Sequence, residues 1–129
     1  MALRLKLKPH ERVIIGGAAV RNGRSRVELL IDNQVPVLRE SELITPNEVR
    51  TPCERIYLAL QLMYIDSERI AQYRSSYRAL VADVVEAAPS CRPLIAAIDD
   101  SVKRGRFYQA LKHARGLIDH ERELIGNVR

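Results

Sequence analysis

Near residue 44 the spacing of the apolar residues changes from every second position to every third or fourth, which limits the chain to a small sheet followed by helices. Before that point, LRLKLK (residues 3–8) alternates leucine with a cation, the pattern of a half-buried strand. Leu3, Leu5 and Leu7 are expected to face a core, and Arg4, Lys6 and Lys8 to face outward. Further β-type runs follow in RVIIGG, AAVR, SRVELLI and VPVLRE, so about five short strands precede residue 41. Asn22-Gly23 carries the strongest short hairpin signal, because a type I′ turn needs positive φ at both central residues. It predicts a hairpin of 18–21 with 25–31. Gly16-Gly17 and Asp32-Asn33-Gln34 mark two further reversals, which together give a meander or a small barrel-like sheet.

Beyond residue 44 the signals are helical. Thr45-Pro46-Asn47-Glu48 and Thr51-Pro52-Cys53-Glu54 each supply a capping hydroxyl, a proline for the first helical position and a glutamate that reaches back to the cap. The first yields only a short turn, since Pro52 interrupts it, and the second starts a helix through Ile56, Leu60 and Met63 to about Ile65. Asp66 is placed to cap the next, whose stripe is Ile70, Tyr73, Tyr77, Leu80, Val81 and Val84 and which ends at Pro89. A third runs over about 93–104 with Gly105 as its stop. The fourth turns Phe107, Leu111, Ala114, Ile118 and Ile125 inward. The expected fold class is α+β: an antiparallel β module over 1–44, then a bundle of about four helices over 45–129.

The excess of positive charge is concentrated at one end. The formal charge is +5, yet residues 1–26 hold seven cations (Arg4, Lys6, Lys8, Arg12, Arg21, Arg24 and Arg26) against one acid, Glu11, so residues 27–129 carry −1. A purely cationic strand face gains nothing for stability, and a basic segment in a balanced chain is the footprint of a polyanion binder. A β module of about forty residues buries little apolar surface and exposes strand edges, which predicts a homodimer or a partner-bound form. No apolar run is long enough to span a bilayer and MALRLKLK is too charged for a signal segment, so the expected location is the cytoplasm. There Cys53 and Cys91 remain free thiols.

No catalytic constellation is present. His10, His113 and His120 form no H-E-x-x-H motif, and glycine-rich phosphate loops and nucleophile elbows are absent, so neither an enzyme, a metal site nor a cofactor is expected. Tyr57, Tyr64, Tyr73 and Tyr77 at helical spacing read as packing residues. The basic module has no aromatic residue before Tyr57, so any RNA contact there rests on phosphates, backbone groups and base edges rather than stacking. Lys103-Arg104-Gly105-Arg106 coincides with a helix stop, where cations suit the carbonyl dipole.

Two stretches of the β module carry a resemblance. LRLKLKPHERVIIGG is similar to the opening of the carbon-storage regulator (CsrA) family, small β dimers that bind GGA-containing mRNA leaders, and VPVLRE resembles that family's last strand. The resemblance places Leu5 and Lys8 at first-strand RNA contacts and Arg39 at the principal arginine. Leu7 stands where that family usually has a basic residue, and the middle of the module is shorter. MALRLKLKPHERVIIGGAAVRNG, IDNQVPVLRESELITP and RIYLALQLMYID resemble the flagellar-biosynthesis repressor FlbT family. That resemblance implies a post-transcriptional regulator of the 5′ untranslated region of flagellin mRNA, lowering its translation and stability and working with the small regulator FlaF. The expected RNA-binding set is Arg4, Lys6, Lys8, Arg12, Arg21, Arg24, Arg26 and Arg39. The alternative is a flagellar assembly adaptor that binds FlaF or flagellin through its helices and affects mRNA only indirectly.

Overall fold

A computed structural model describes residues 2–128. The chain forms two compact units, Met1–Leu43 and Ile44–Arg129. The first contains five strands, β1 (Leu3–Leu7), β2 (Arg12–Ile15), β3 (Ala18–Arg21), β4 (Val27–Ile31) and β5 (Val37–Arg39). The second contains four helices, α1 (Pro52–Ile65), α2 (Ile70–Ala87), α3 (Arg92–Lys103) and α4 (Phe107–Val128). The fold is α+β, with the strands first.

The strands do not form a meander. All pairing is antiparallel, in one sheet of order β1-β4 and another of order β3-β2-β5. The tight hairpin joins β2 to β3 through Gly16 and Gly17, whose φ values of 57° and 86° meet the two-residue requirement of a type I′ turn. The hairpin expected at Asn22-Gly23 is absent, because 25–31 leaves β3 and β4 pairs with β1, Leu5 facing Leu29 and Leu7 facing Val27. Asn22 instead acts as a clasp. Its Nδ2 donates to the Lys8 and Ser25 carbonyls at 2.8 and 2.9 Å, and its Oδ1 accepts from the Gly23 N–H at 2.8 Å.

Leu5, Leu7 and Val13 form the centre of the β unit, packed against by Ile15, Val20, Leu29, Ile31 and Val37. Leu3 departs from the expected inward row and is 47% exposed, since it lies at the strand's first position and nothing in the unit covers it. Alternation fixes which face a residue takes, while the extent of the facing layer fixes whether that face is buried.

In the second unit, Pro46–Glu48 forms the expected single short turn, and Thr51 caps α1 by accepting from the Glu54 N–H at 3.2 Å, while Glu54 accepts from the Thr51 N–H at 3.1 Å. α1 packs against both α2 and α4, and α4 packs against α3. Two neighbours bury most of α1's circumference, including Cys53, Ile56, Tyr57, Leu60 and Met63. Buried Gln61 is satisfied on both sides, its Oε1 accepting from the Ile44 N–H and its Nε2 donating to the Ile44 carbonyl, each at 2.9 Å. Asp66 does not cap α2. A one-turn helix at Ser67–Arg69 intervenes, and the Asp66 carboxylate accepts from the Tyr73 hydroxyl at 2.6 Å. α3 ends in a Schellman motif with Gly105 at φ 72°, where the Gly105 N–H donates to Val102 and the Arg106 N–H to Ser101. On α4, Leu111, Ala114 and Ile118 are buried as expected and Leu117 joins them, whereas Ile125 is 47% exposed.

Tyr57 and Tyr77 are buried and Tyr64 lies 5.8 Å from Tyr108, centroid to centroid, so these rings serve packing. The Arg115 guanidinium covers the Tyr57 ring at 5.0 Å.

Candidate nucleic-acid interface

The β unit gathers part of its cationic set around one open hollow of about 480 Å³, lined by Lys6, Leu7, Lys8, Arg26, Val27, Glu28 and Arg39. Lys6 is on the outward face of β1, Lys8 is in the turn that follows, Arg26 precedes β4 and Arg39 ends β5. Pairing of β4 with β1 brings residue 26 beside residues 6–8, a neighbourhood the predicted hairpin would not have made.

Arg39 holds the centre of this arrangement. Its Nε and Nη2 donate to the Glu11 carboxylate at 3.0–3.1 Å, and Nη2 also donates to the Lys6 carbonyl at 2.6 Å. Glu11 is fixed from the other side by the Lys8 N–H, at 2.9 Å. The side chain of Glu11 is 10% exposed and that of Arg39 is 37% exposed. Hydrogen bonds from Arg39 and then from the Lys8 N–H hold the Glu11 carboxyl below its ordinary range, and the same contact raises Arg39. The only acid of residues 1–26 therefore orients the arginine at the far end of the module, and the Arg39 fork is engaged within the chain.

The turn that delivers Glu11 is Lys8-Pro9-His10-Glu11, closed by the Glu11 N–H donating to the Lys8 carbonyl at 3.1 Å. Pro9 presets its position, and His10 takes φ 63°, where glycine or asparagine is usual. The His10 N–H donates to the Gly23 carbonyl at 2.9 Å, tying this turn to the Asn22 clasp.

The rest of the expected set lies elsewhere. Arg4 forms an ion pair with Glu28 at 3.4 Å, so the outward face of the β1-β4 sheet is not purely cationic. Arg12 and Arg21 oppose each other across β2 and β3, a like-charged pair apart from the hollow. Arg24 is exposed in the connection before β4. Leu5, by contrast, is buried in the core, where its side chain is withdrawn from any surface ligand. The roles of Glu11 and Glu28 escape a count of cations, although Glu11 stands out in the sequence as the lone acid among seven cations.

Among the described residues, no group of three His, Cys, Asp or Glu side chains is placed to hold a metal ion, and no helix is long and apolar enough to cross a membrane. His120 is engaged with the Ser90 hydroxyl at 3.0 Å.

A strand unit whose first 26 residues carry seven cations against one acid, followed by a unit of four helices, defines a two-part α+β protein. Residues 3–125 match the model of the family described as flagellar protein FlbT. The chain is 46% identical over 127 residues to a probable flagellum biosynthesis repressor protein FlbT of Bradyrhizobium diazoefficiens, covering 98% of this chain and 86% of that one. It is 39% identical over 125 residues to a Rhodopseudomonas palustris relative of that name, with 97% and 98% covered. A flagellum biosynthesis repressor protein FlbT of Caulobacter vibrioides is 32% identical over 130 residues, with 99% and 92% covered. The chain belongs to the FlbT family. No solved structure matches it.

Proposed function

We propose that this chain represses flagellum biosynthesis after transcription, its β unit binding the 5′ untranslated region of flagellin mRNA and lowering translation and message stability. The observation that carries this reading is the convergence of Lys6, Lys8, Arg26 and Arg39 on one hollow, with Arg39 oriented by Glu11. The lysines and Arg26 neutralise phosphates and supply salt-dependent affinity. The exposed part of Arg39, held rigid, addresses a base edge or a phosphate. Arg12, Arg21 and Arg24 extend the basic field, and Arg4 acts through it despite its pairing with Glu28. Repression by occupancy of a leader requires no catalysis, and decay follows from cellular nucleases.

The protein acts where its message is, in the cytoplasm, as a homodimer. The dimer is supported by open strand edges on both small sheets and by exposed Leu3, Val27 and Leu30 on β1 and β4. FlaF, and flagellin itself, are partners for the helical unit.

The test is a salt titration of binding to a flagellin leader by wild type, Arg39→Ala and Lys6→Glu/Lys8→Glu. Wild type binds the leader over unrelated RNA, and Arg39→Ala loses about 1–3 kcal/mol of that discrimination. The lysine variant weakens binding to all sequences and flattens the salt slope by about 0.7 per lost contact. Equally weak binding by all three proteins would sink the reading.

A further inference from the structure

The helical unit carries a second cationic concavity. α2 and α3 are not among its closely packed helix pairs, and between them lies a groove of about 400 Å³, within the range of ligand-binding clefts. Arg74 and Arg78, one turn apart on α2, and Lys103 at the end of α3 line it. Between these cations the groove offers Val81 and Val102. Its one carboxylate, Asp99, accepts from the buried Tyr77 hydroxyl, so part of its charge is spent inward. Three cations thus face one engaged acid, whereas residues 44–129 as a whole set 13 Lys/Arg against 11 Asp/Glu, so the groove is more strongly cationic than the unit that holds it.

Arg74 adds a more specific sign. Its Nε is buried and has no hydrogen-bond partner among the described residues. That atom is closed to a ligand as it is to water, so a carboxylate in the groove meets Arg74 through its Nη–H groups, a planar pair of donors that a lysine does not offer.

We propose that the α2–α3 groove docks an acidic, partly apolar segment of a partner protein, with a carboxylate on the Arg74 fork, a second near Arg78 and Lys103, and an aliphatic side chain on Val81 and Val102. Charge complementarity selects the acidic residues and the apolar strip selects their neighbours. Single-stranded RNA fits less well, because the ring within the groove, Tyr77, is 2% exposed and presents no face for a base to stack on. The inference is independent of RNA binding by the β unit.

The experiment uses the full chain and a fluorescent peptide of about ten residues alternating leucine and glutamate, read by anisotropy, with a leucine–glutamine peptide and an oligouridylate as controls. The glutamate peptide binds at least about tenfold tighter than the glutamine peptide, and Arg78→Glu/Lys103→Glu, a change at two exposed positions, removes that preference. Arg74→Lys, which keeps the charge but lacks the fork, loses about threefold to tenfold in affinity. Lys6→Glu/Lys8→Glu leaves peptide binding unchanged, so failure here and failure of RNA binding are read separately. Equal affinity for the two peptides, binding indifferent to the α2–α3 substitutions, or oligouridylate bound through Arg78 and Lys103 in place of the peptide each overturns the proposal.

Discussion

Arg39 and Glu11, separated by 28 positions in the chain, form a two-point ion pair in which Nε and Nη2 of the guanidinium grip both carboxylate oxygens at 3.0–3.1 Å. The pair joins the end of β5 to the turn after β1 and, through the Lys6 carbonyl, fixes the floor on which the lysines stand. Its planar, two-point geometry makes it more rigid than a lysine contact of the same charge.

The pair makes stability depend on acid in a definite direction. The folded-state pKa of Glu11 lies below its unfolded value, so the contribution is complete above the ordinary glutamate pKa of about 4.3 and is lost as pH falls through the lower folded value. Glu11→Gln should cost about 1 kcal/mol at neutral pH, since Arg39 remains partly solvated. Urea unfolding between pH 7 and pH 3 should show the two proteins converging toward the acid end. A constant offset across that range would refute the assignment.

His10 occupies a left-handed conformation at φ 63° in the turn that presents Glu11. Glycine removes the clash of Cβ with the backbone there, so His10→Gly should stabilise the protein by up to about 1 kcal/mol despite the greater freedom it gives the unfolded chain. A rise in Tm with an unchanged denaturant slope checks it, and a fall in Tm contradicts it.

Tyr77 is buried on α2 and donates its hydroxyl to Asp99 on α3. Burial, reinforced by Asp99, pushes the phenol above its ordinary range, so it stays a neutral donor through the whole physiological range. Tyr77→Phe keeps the ring and deletes the donor, which should cost about 1–2 kcal/mol by equilibrium unfolding. The same cost in an Asp99→Asn background would show that the two groups do not act together.

Cys53 is buried at the start of α1, beside Glu121, whose carboxylate accepts from the Cys53 N–H at 3.2 Å. Burial first, then the Glu121 carboxylate, pushes its thiol well above the ordinary range, and burial also raises Cys91. Thiolate is the reactive form, so both cysteines should resist a maleimide in the native protein at pH 7 and react together on unfolding. Mass spectrometry along a urea series reads this directly, and prompt labelling of folded protein would contradict it.

Sequence alone determined the local elements, because the forces that start and stop them act within a few residues. Thr51, Pro52 and Glu54 place the start of α1, Gly105 stops α3, and Gly16-Gly17 turns β2 into β3. The order of strands first and helices after was legible from the change in apolar period, and the concentration of charge at residues 1–26 from a count. Tertiary structure alone decided which strand lies beside which. Asn22-Gly23 has the residues of a hairpin, yet β4 gains more by covering Leu5 and Leu7 of β1 than by returning along β3, and Asn22 becomes a clasp between turns. That choice puts Arg26 beside Lys6 and Lys8, and the β2–β5 pairing brings Arg39 within reach of Glu11. Contacts between residues so far apart leave no periodic trace in the sequence, because they depend on which apolar faces can close over one another in the folded unit.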